Sequence, residues 1–386
     1  MFGKAIRLFK IFGFEVKLDA SWIVIAALVT WSLAAGVFPL MYPGASLATY
    51  WGMGILGALG FFCSIVIHEL CHALVASRYG LSIKGITLFI FGGVAEMGDE
   101  PPRPGVEFWV AIAGPICSIL LGLLFFVTTR LAGWSGLPEA SVVFAYLAWV
   151  NWLLAGFNLV PAFPLDGGRV LRAAIWKWNG NFTRATRIAA IFGTAFGVCL
   201  MAFGILELFS GRLIAAVWYF LIGSFLRGAS KSSYEYVVLR SLLAGEPVSR
   251  FMRRDPVRLT PETTVRHLVD DFVYHSDLKY FPVVTDDDEL IGCVSASDIR
   301  KVPREEWDRH SIAELVQPCA ETNSITPETD ALKALSKIRE TGRGLFVTDH
   351  RHLLAVISPR DLMNFLAMKL EIEGEPIPGL LASLRR

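Results

Sequence analysis

The chain of 386 residues is 54% hydrophobic, and its mean hydropathy of +0.50 excludes an ordinary soluble globular protein. Its formal net charge of +1 combines a basic half, with 15 Lys and Arg against 10 Asp and Glu in residues 1–230, and an acidic half, with 21 against 25 in residues 231–386. Neither half has a basic stripe or a pattern of stacking aromatic residues, so nucleic acid is not an expected partner.

Apolar runs dominate residues 1–230, and six of them are long enough, or nearly long enough, to cross a membrane. The first run follows a charged segment and has no cleavage site of small residues after it, so we expect it to be retained and not removed as a signal peptide. The last run is the shortest. The six predicted spans are Ser21–Leu40, Trp51–Ser77, Val106–Val127, Val142–Val160, Ile188–Leu208 and Leu213–Phe225.

The lysine and arginine residues of this half indicate its orientation. Residues 41–50, between the first two spans, contain none. Because positively charged loops stay in the cytoplasm, we expect a multi-pass protein of the cell membrane whose two termini and C-terminal domain are cytoplasmic. The basic segments on the predicted cytoplasmic side are residues 4–17, 78–103, 169–187 and 227–231.

Two histidines and a glutamate lie within the second predicted span. His68, Glu69 and His72 form the pattern H-E-x-x-H, and no charged residue lies between Trp51 and Ile67. Positions i and i+4 share one face of a helix, so both imidazoles can reach one ion. In metalloproteases this pattern supplies two zinc ligands and a glutamate that acts on water. The alternative is a core helix with two hydrogen-bonded histidines, but ionisable groups within a membrane span favour a functional site.

The segment Leu81–Met97 is not a further span. Its apolar residues alternate with others and are followed by Gly92-Gly93, which predicts a short β-hairpin with its turn at these glycines. Because the segment follows the metal-binding helix, it could lie beside the site and offer a strand edge to an unwound substrate. A connector without such a role is the alternative.

A third metal ligand is needed, because catalytic zinc has three protein ligands and one open position. The membrane half contains no other histidine, so this ligand must be a carboxylate or a cysteine. We predict Asp166, just after the fourth span, where two prolines and two glycines interrupt the helix and open the backbone. Asp166 should lie near the cytoplasmic face, at the level of His72. A solvated aspartate in a turn is the alternative.

These motifs resemble the site-2 protease family of intramembrane zinc metalloproteases, peptidase family M50. The resemblance implies that His68, His72 and Asp166 bind one Zn²⁺, that Glu69 is the general base and that Asn158 helps to hold the substrate. No long loop interrupts the far side, which places the chain nearer the branch with a C-terminal cytoplasmic domain. The matching motifs are H-E-x-x-H at 68–72, A-G-P at 113–115 and N-x-x-P-x-x-P-L-D-G-G at 158–168.

The acidic half contains a tandem repeat. Residues 259–263 recur at 325–329 and residues 284–286 at 347–349, and each copy ends in a Ser-x-x-Asp pattern. The predicted order β-α-β-β-α resembles the CBS module, which implies an adenine nucleotide (ATP, ADP or AMP) whose ribose contacts the aspartate and whose phosphate approaches the serine. A nucleotide-free module that forms a homodimer is the alternative. The implied nucleotide-binding residues are Ser295, Asp298, Ser358 and Asp361.

The sequence therefore predicts a polytopic α-helical membrane protein with six transmembrane helices and a site-2 protease core, followed by a cytoplasmic α/β tandem CBS domain. The predicted boundaries are 1–230 for the membrane domain, 231–245 for a linker, 246–304 and 305–372 for the repeats and 373–386 for a tail.

The predicted activity is zinc-dependent hydrolysis of peptide bonds in or near transmembrane segments of other proteins, as in regulated intramembrane proteolysis, under control of the nucleotide. The alternative, a CBS-regulated transporter or channel with a His/Asp metal site, would not need Glu69 and would favour an inverted repeat, which the sequence lacks. An inactive scaffold is disfavoured because no motif residue is missing.

Overall fold

The computed structural model describes residues 6–89, 92–97, 100–275, 279–318, 323–342 and 344–373. The chain divides into two compact units, Met1–Tyr234 and Glu235–Arg386. The predicted domain boundaries stay a prediction, although part of the predicted linker is helical, and residues 374–386 of the predicted tail lie outside the described residues.

The first unit is built mainly from long apolar helices. Among the residues that the structure describes, five helices are long and apolar enough to cross a membrane, and they contain or overlap the first five predicted spans. The sixth predicted span, Leu213–Phe225, lies in a helix outside that group, so a count of six stays a prediction. The helices are α1 (Ser21–Met41), α2 (Leu47–Arg78), α3 (Pro104–Trp134), α4 (Pro138–Asn158), α5 (Asp166–Asn179), α6 (Phe182–Phe209) and α7 (Leu213–Leu243).

The surface of this helical unit is apolar. Large side chains such as Leu120, Leu124 and Trp149 are exposed, whereas small residues such as Ala111 and Ala189 are buried between helices. Small residues at contacts allow the close approach of helices that is typical of membrane proteins. α3 is central, because it packs against α2, α4 and α5.

The interruption between α4 and α5 is confirmed. α4 ends at Asn158 and α5 begins at Asp166. The glycines after Asp166 allow a close backbone approach: a Cβ atom on Gly167 would lie 2.2 Å from the carbonyl oxygen of Leu159. The loop therefore folds tightly back onto the end of α4, which fixes where α5 starts.

A four-stranded sheet accompanies the helices, in the order β1-β2-β3-β4. The β1–β2 and β3–β4 pairs are antiparallel, and β2–β3 is parallel. The predicted hairpin corresponds to β3 and β4, but its predicted turn is wrong: Gly92 and Gly93 pair with Phe89 and Leu88 inside the sheet. The strands are β1 (Ile6–Ile11), β2 (Phe14–Leu18), β3 (Ile83–Phe89) and β4 (Gly92–Met97).

The second unit contains two copies of one α/β motif. In the second copy β7 is parallel to β8, and β9 is antiparallel to β8; in the first copy the strand equivalent to β7 is a single parallel bridge between Leu259 and Val283. Phe281 and Phe346 are fully buried in its core. The elements are α8 (Val265–His267), β5 (Tyr280–Val284), β6 (Leu290–Ser295), α9 (Ala296–Ile299), β7 (Ser324–Ile325), α10 (Ala331–Thr341), β8 (Leu345–Asp349), β9 (His352–Ile357) and α11 (Pro359–Glu373).

Candidate metal centre

Three buried side chains from two helices meet at one point. The Nε2 atoms of His68 and His72 lie 3.1 Å apart, and Oδ2 of Asp166 lies 3.2 Å from each of them. Each histidine is only 3% exposed, and Asp166 is 8% exposed. The structure thus brings together the three residues that the sequence predicts as metal ligands, although Asp166 is 98 positions from His68.

The other nitrogen of each imidazole is held by α3. Nδ1 of His72 donates a hydrogen bond to the carbonyl oxygen of Val110 (2.6 Å), and Nδ1 of His68 lies 2.8 Å from the hydroxyl of Ser118. Because a carbonyl oxygen can only accept, the neutral His72 ring carries its lone pair on Nε2, which faces the other two groups. Val110 and Ser118 were not predicted from the sequence, since a backbone oxygen and a lone serine give no pattern.

The geometry and chemistry of these donors fit a zinc ion. Zinc–ligand distances of about 2.0–2.2 Å in tetrahedral geometry place neighbouring ligand atoms roughly 3.3–3.6 Å apart, close to the separations found here. Two imidazole nitrogens and a carboxylate oxygen are also ligands that zinc prefers. Their mutual approach brings electron-rich atoms together, and a cation stabilises that arrangement.

The absence of a side chain at Gly114 of α3 leaves room for the two histidine rings of this cluster. A Cβ atom at this position would lie 2.2 Å from Nε2 of His72 and 2.5 Å from Nε2 of His68. Contacts below 3.0 Å are essentially never seen for real Cβ atoms. The glycine of the A-G-P motif is therefore required by the space around the histidine nitrogens, a reason that the sequence did not reveal.

A cavity of about 320 Å³ opens beside the cluster. His68, Glu69 and Asn158 line it, together with mostly apolar side chains from α1, α2, α4 and α7. β4 also approaches closely here, because a Cβ atom on Gly93 would lie 2.7 Å from Cγ of Glu69. Glu69, the predicted general base, and Asn158, the predicted substrate-holding residue, thus line the same cavity as His68, a candidate metal ligand.

The Ser-x-x-Asp patterns of the second unit have a structural role that the sequence analysis missed. In the first copy the hydroxyl of Ser295 accepts a hydrogen bond from the backbone of Asp298 (3.3 Å), whose carboxylate accepts from the backbone of Ser295 (3.1 Å). Ser358 and Asp361 make the same contacts in the second copy, at 3.2 and 2.9 Å. Each pattern is therefore a capping box that begins a helix after a β-strand.

The outer carboxylate oxygens of the two aspartates meet different cations. Oδ1 of Asp298 lies 2.7 Å from Nζ of Lys301, and Oδ1 of Asp361 lies 3.0 Å from a guanidinium nitrogen of Arg253. Burial alone would raise the pKa of Asp298, but hydrogen bonds from Lys301 and Ser295 lower it below its usual value. Both cations are partly exposed, so they can also meet a bound anion.

Comparisons with known proteins agree with this architecture. The sequence model of peptidase family M50 matches residues 56–139 and 135–201, and the CBS domain model matches residues 248–305 and 318–368. The chain is 32% identical over 376 residues to Rip3 of Mycobacterium tuberculosis. The aligned region covers 96% of this chain and 95% of Rip3.

A second relative is the zinc metalloprotease MJ0392 of Methanocaldococcus jannaschii, 30% identical over 378 residues, or 96% of this chain and 98% of MJ0392. The solved structure of a site-2 protease from the same organism is 29% identical in sequence, with a TM-score of 0.42. The aligned region covers 60% of this chain and 95% of that protease chain. The chain belongs to peptidase family M50, the site-2 proteases, and it carries a C-terminal pair of CBS domains.

Proposed function

We propose that this protein hydrolyses peptide bonds in or near transmembrane segments of other membrane proteins. The observation that carries the proposal is the convergence of His68, His72 and Asp166, with His68 and Glu69 lining a cavity between apolar helices. Family M50 supports peptidase activity in general, and the position of the site among apolar helices supports a substrate from the membrane.

His68, His72 and Asp166 would hold the zinc ion, which supplies Lewis-acid activation of water when it is bound. Val110 and Ser118 orient the two imidazoles, so the donor nitrogens do not have to reorganise during the reaction. Glu69 accepts a proton from the attacking water and returns it to the leaving amine, as a general base and then a general acid.

The cavity explains why an apolar, extended peptide would be the substrate. Its apolar walls accommodate apolar side chains, and Asn158 offers an amide that can hydrogen-bond a peptide backbone. Among the described strands β4 lies at one end of the sheet order, and Gly93 of β4 approaches Glu69. An unwound substrate could pair with β4 by strand addition and so present its backbone to Glu69.

Purified full-length protein in detergent provides the test. We expect cleavage of a transmembrane-helix substrate, loss of cleavage with a zinc chelator and recovery when Zn²⁺ is added back. A soluble peptide without an apolar segment is the matched control. Absence of cleavage of any transmembrane substrate by zinc-loaded protein would overturn the proposal and leave a metal-binding transporter as the better explanation.

We also propose six membrane spans with both termini and the CBS domains in the cytoplasm. The bias of lysine and arginine towards alternate loops supports this orientation. Cysteine labelling from outside intact cells should modify a cysteine introduced into residues 41–46 and leave one introduced after residue 231 unmodified. Labelling of the second position and not the first would reverse the assignment.

We further propose that an adenine nucleotide binds the CBS pair and changes the rate of proteolysis. Ser295 and Ser358 each lie at the N-terminus of a helix that follows a strand, a position that favours a phosphate. Asp298 and Asp361 have carboxylate oxygens that can accept hydrogen bonds from ribose hydroxyls. A ligand changes the rate only if it binds the cleaving and resting states differently, and such coupling is typically about 1–3 kcal/mol.

Calorimetric titration of the full chain with ATP, ADP and AMP measures this binding. We expect saturable binding of at least one of them and a several-fold change in cleavage rate at saturation. If none binds at millimolar concentration, the CBS pair is a dimerisation or docking module, and a homodimer detected by light scattering identifies the former.

A further inference from the structure

An ion pair is buried between two helices of the metal centre. Glu107, in the first turn of α3, is 0% exposed, and Arg172 of α5 is 7% exposed. Nε of Arg172 donates a hydrogen bond to Oε1 of Glu107 at 2.6 Å, and a second guanidinium nitrogen contacts the same oxygen. Burial of two charges is costly, and such pairs often add no net stability to a fold. Fold stability therefore does not by itself account for this pair.

Arg172 also holds the loop that leads to Asp166. Its guanidinium lies over the ring of Phe163 at 4.9 Å and over the ring of Phe182, at the start of α6, at 4.7 Å. These distances are typical of cation–π contacts. Phe163 is three residues before Asp166, so Arg172 contacts the chain just before the start of α5.

The backbone of Phe163 is fixed as well as its ring. The buried hydroxyl of Ser230, on α7, donates a hydrogen bond to the carbonyl oxygen of Phe163. Gly193 of α6 allows this packing, because any Cβ atom there would overlap that oxygen. The loop is thus held by Arg172 and by contacts with α6 and α7.

The partner of Arg172 belongs to the helix that orients both histidines. Glu107 precedes Val110 by one turn, and Val110, Gly114 and Ser118 of α3 all lie against His68 or His72. The ion pair therefore joins the helix that sets the imidazoles to the helix that begins with the carboxylate. Metal ligands must keep their distances to within about 0.2 Å, which demands a rigid connection of this kind.

We propose that Glu107 and Arg172 are positioning residues whose ion pair sets the place of the Asp166 carboxylate relative to the two histidine nitrogens. This inference rests on the metal centre proposed above. It assigns a role in metal binding to two residues that contact neither the donor atoms nor the cavity.

The test compares Co²⁺ binding by full-length variants in detergent, followed by ligand-field absorption, with the fold checked by circular dichroism. The main variant is Glu107→Gln with Arg172→Met, because removal of both charges leaves no unpaired buried ion. Loss of contacts that only orient metal ligands typically weakens binding about 10- to 100-fold, and we expect that loss with an altered absorption spectrum.

The matched control removes a pair outside the first unit. Glu246 and Lys369 are joined at 2.6 Å, and Glu246→Gln with Lys369→Met should leave Co²⁺ affinity and spectrum unchanged. Should the main variant fail to fold, Arg172→Lys serves instead. It keeps a cation beside Glu107 but loses the planar group that lies over Phe163, and we expect about tenfold weaker binding.

Asp166→Ala separates failure of this inference from failure of the metal centre. If Asp166→Ala loses Co²⁺ affinity while the folded Glu107 and Arg172 variants keep wild-type affinity and spectrum, the ion pair is only structural and the inference is overturned. If Asp166→Ala itself binds Co²⁺ as tightly as wild type, the proposed ligand set is wrong. Weaker Co²⁺ binding with a changed absorption spectrum, both in Asp166→Ala and in the folded Glu107 and Arg172 variants, supports the proposal.

Discussion

Replacement of Gly114 by alanine is the most direct perturbation of the metal centre. The added methyl group would lie 2.2 Å from Nε2 of His72 and 2.5 Å from Nε2 of His68, the atoms proposed to bind zinc. Both rings are buried, so they cannot turn freely into solvent. Gly114→Ala should therefore displace donor atoms while it changes neither the charge nor the hydrogen-bonding groups of the site.

The size of the effect follows from these distances. To reach a Cβ contact of 3.0 Å, the His72 nitrogen and the methyl group must separate by about 0.8 Å, the difference between 3.0 and 2.2 Å. That displacement is several times the roughly 0.2 Å that metal–ligand distances tolerate. Removal of groups that only orient ligands already costs about 10- to 100-fold in affinity, so we expect zinc binding to weaken at least about 100-fold, or about 2.7 kcal/mol.

Zinc content of purified protein and competition with a chelator measure this change. Gly105→Ala is the matched control, because Gly105 lies in the same helix and has no atom near its added methyl group. We expect Gly105→Ala to retain zinc and Gly114→Ala to lose it, with similar helical content in both. Wild-type zinc affinity in a folded Gly114→Ala protein would refute the assignment of the two Nε2 atoms as ligands.

Four further outcomes follow from the proposed roles. Glu69→Gln should abolish cleavage while one zinc ion per chain stays bound; full activity would refute its role as the base. Asn158→Ala should raise KM several-fold with little change in zinc content, whereas a lower zinc content would indicate a different role. Asp298→Ala should weaken adenine-nucleotide binding in calorimetry about tenfold or more, and Asp330→Ala, which removes an aspartate cap from another helix of the same unit, should not. Because Lys301 helps to lower the pKa of Asp298, this carboxylate stabilises the fold above about pH 4 and loses that effect as the pH falls through the lowered value, so Lys301→Met should shift acid unfolding of the second unit to higher pH in circular dichroism.

Local patterns predicted much of the secondary structure. Apolar runs identified the five long helices, and the prolines and glycines after Asn158 predicted the break before Asp166. The charged N-terminal segment was different: it forms β1 and β2, which the sequence analysis did not predict. β2 joins the sheet by pairing with β3, about 70 residues away, and local propensity does not reveal such a contact.

The turn of the β3–β4 hairpin was misplaced for a related reason. Adjacent glycines usually favour a turn, but Gly93 lies inside β4 because a side chain there would meet Glu69. Close approach of two segments, and not a turn, is the constraint at this position. Only the packed structure distinguishes these two uses of glycine.

The Ser-x-x-Asp patterns are also consistent with two different roles. Their spacing resembles a nucleotide-binding pattern, and in the folded chain each pair is a capping box. The first repeat contributes Arg253 to the second one, since Arg253 pairs with Val356 and bridges to Asp361. No spacing in the sequence indicates that this arginine serves the later copy.

The sequence by itself determined the class of the protein and the chemistry of its site, because helical spacing places His68 and His72 on one face and hydropathy places them within an apolar span. Tertiary structure decided the rest: the meeting of Asp166 with both imidazoles, the space left by Gly114 and the buried pair of Glu107 with Arg172. The physical reason is that periodicity records which face of an element is apolar, whereas distances between ligands depend on how separate helices pack.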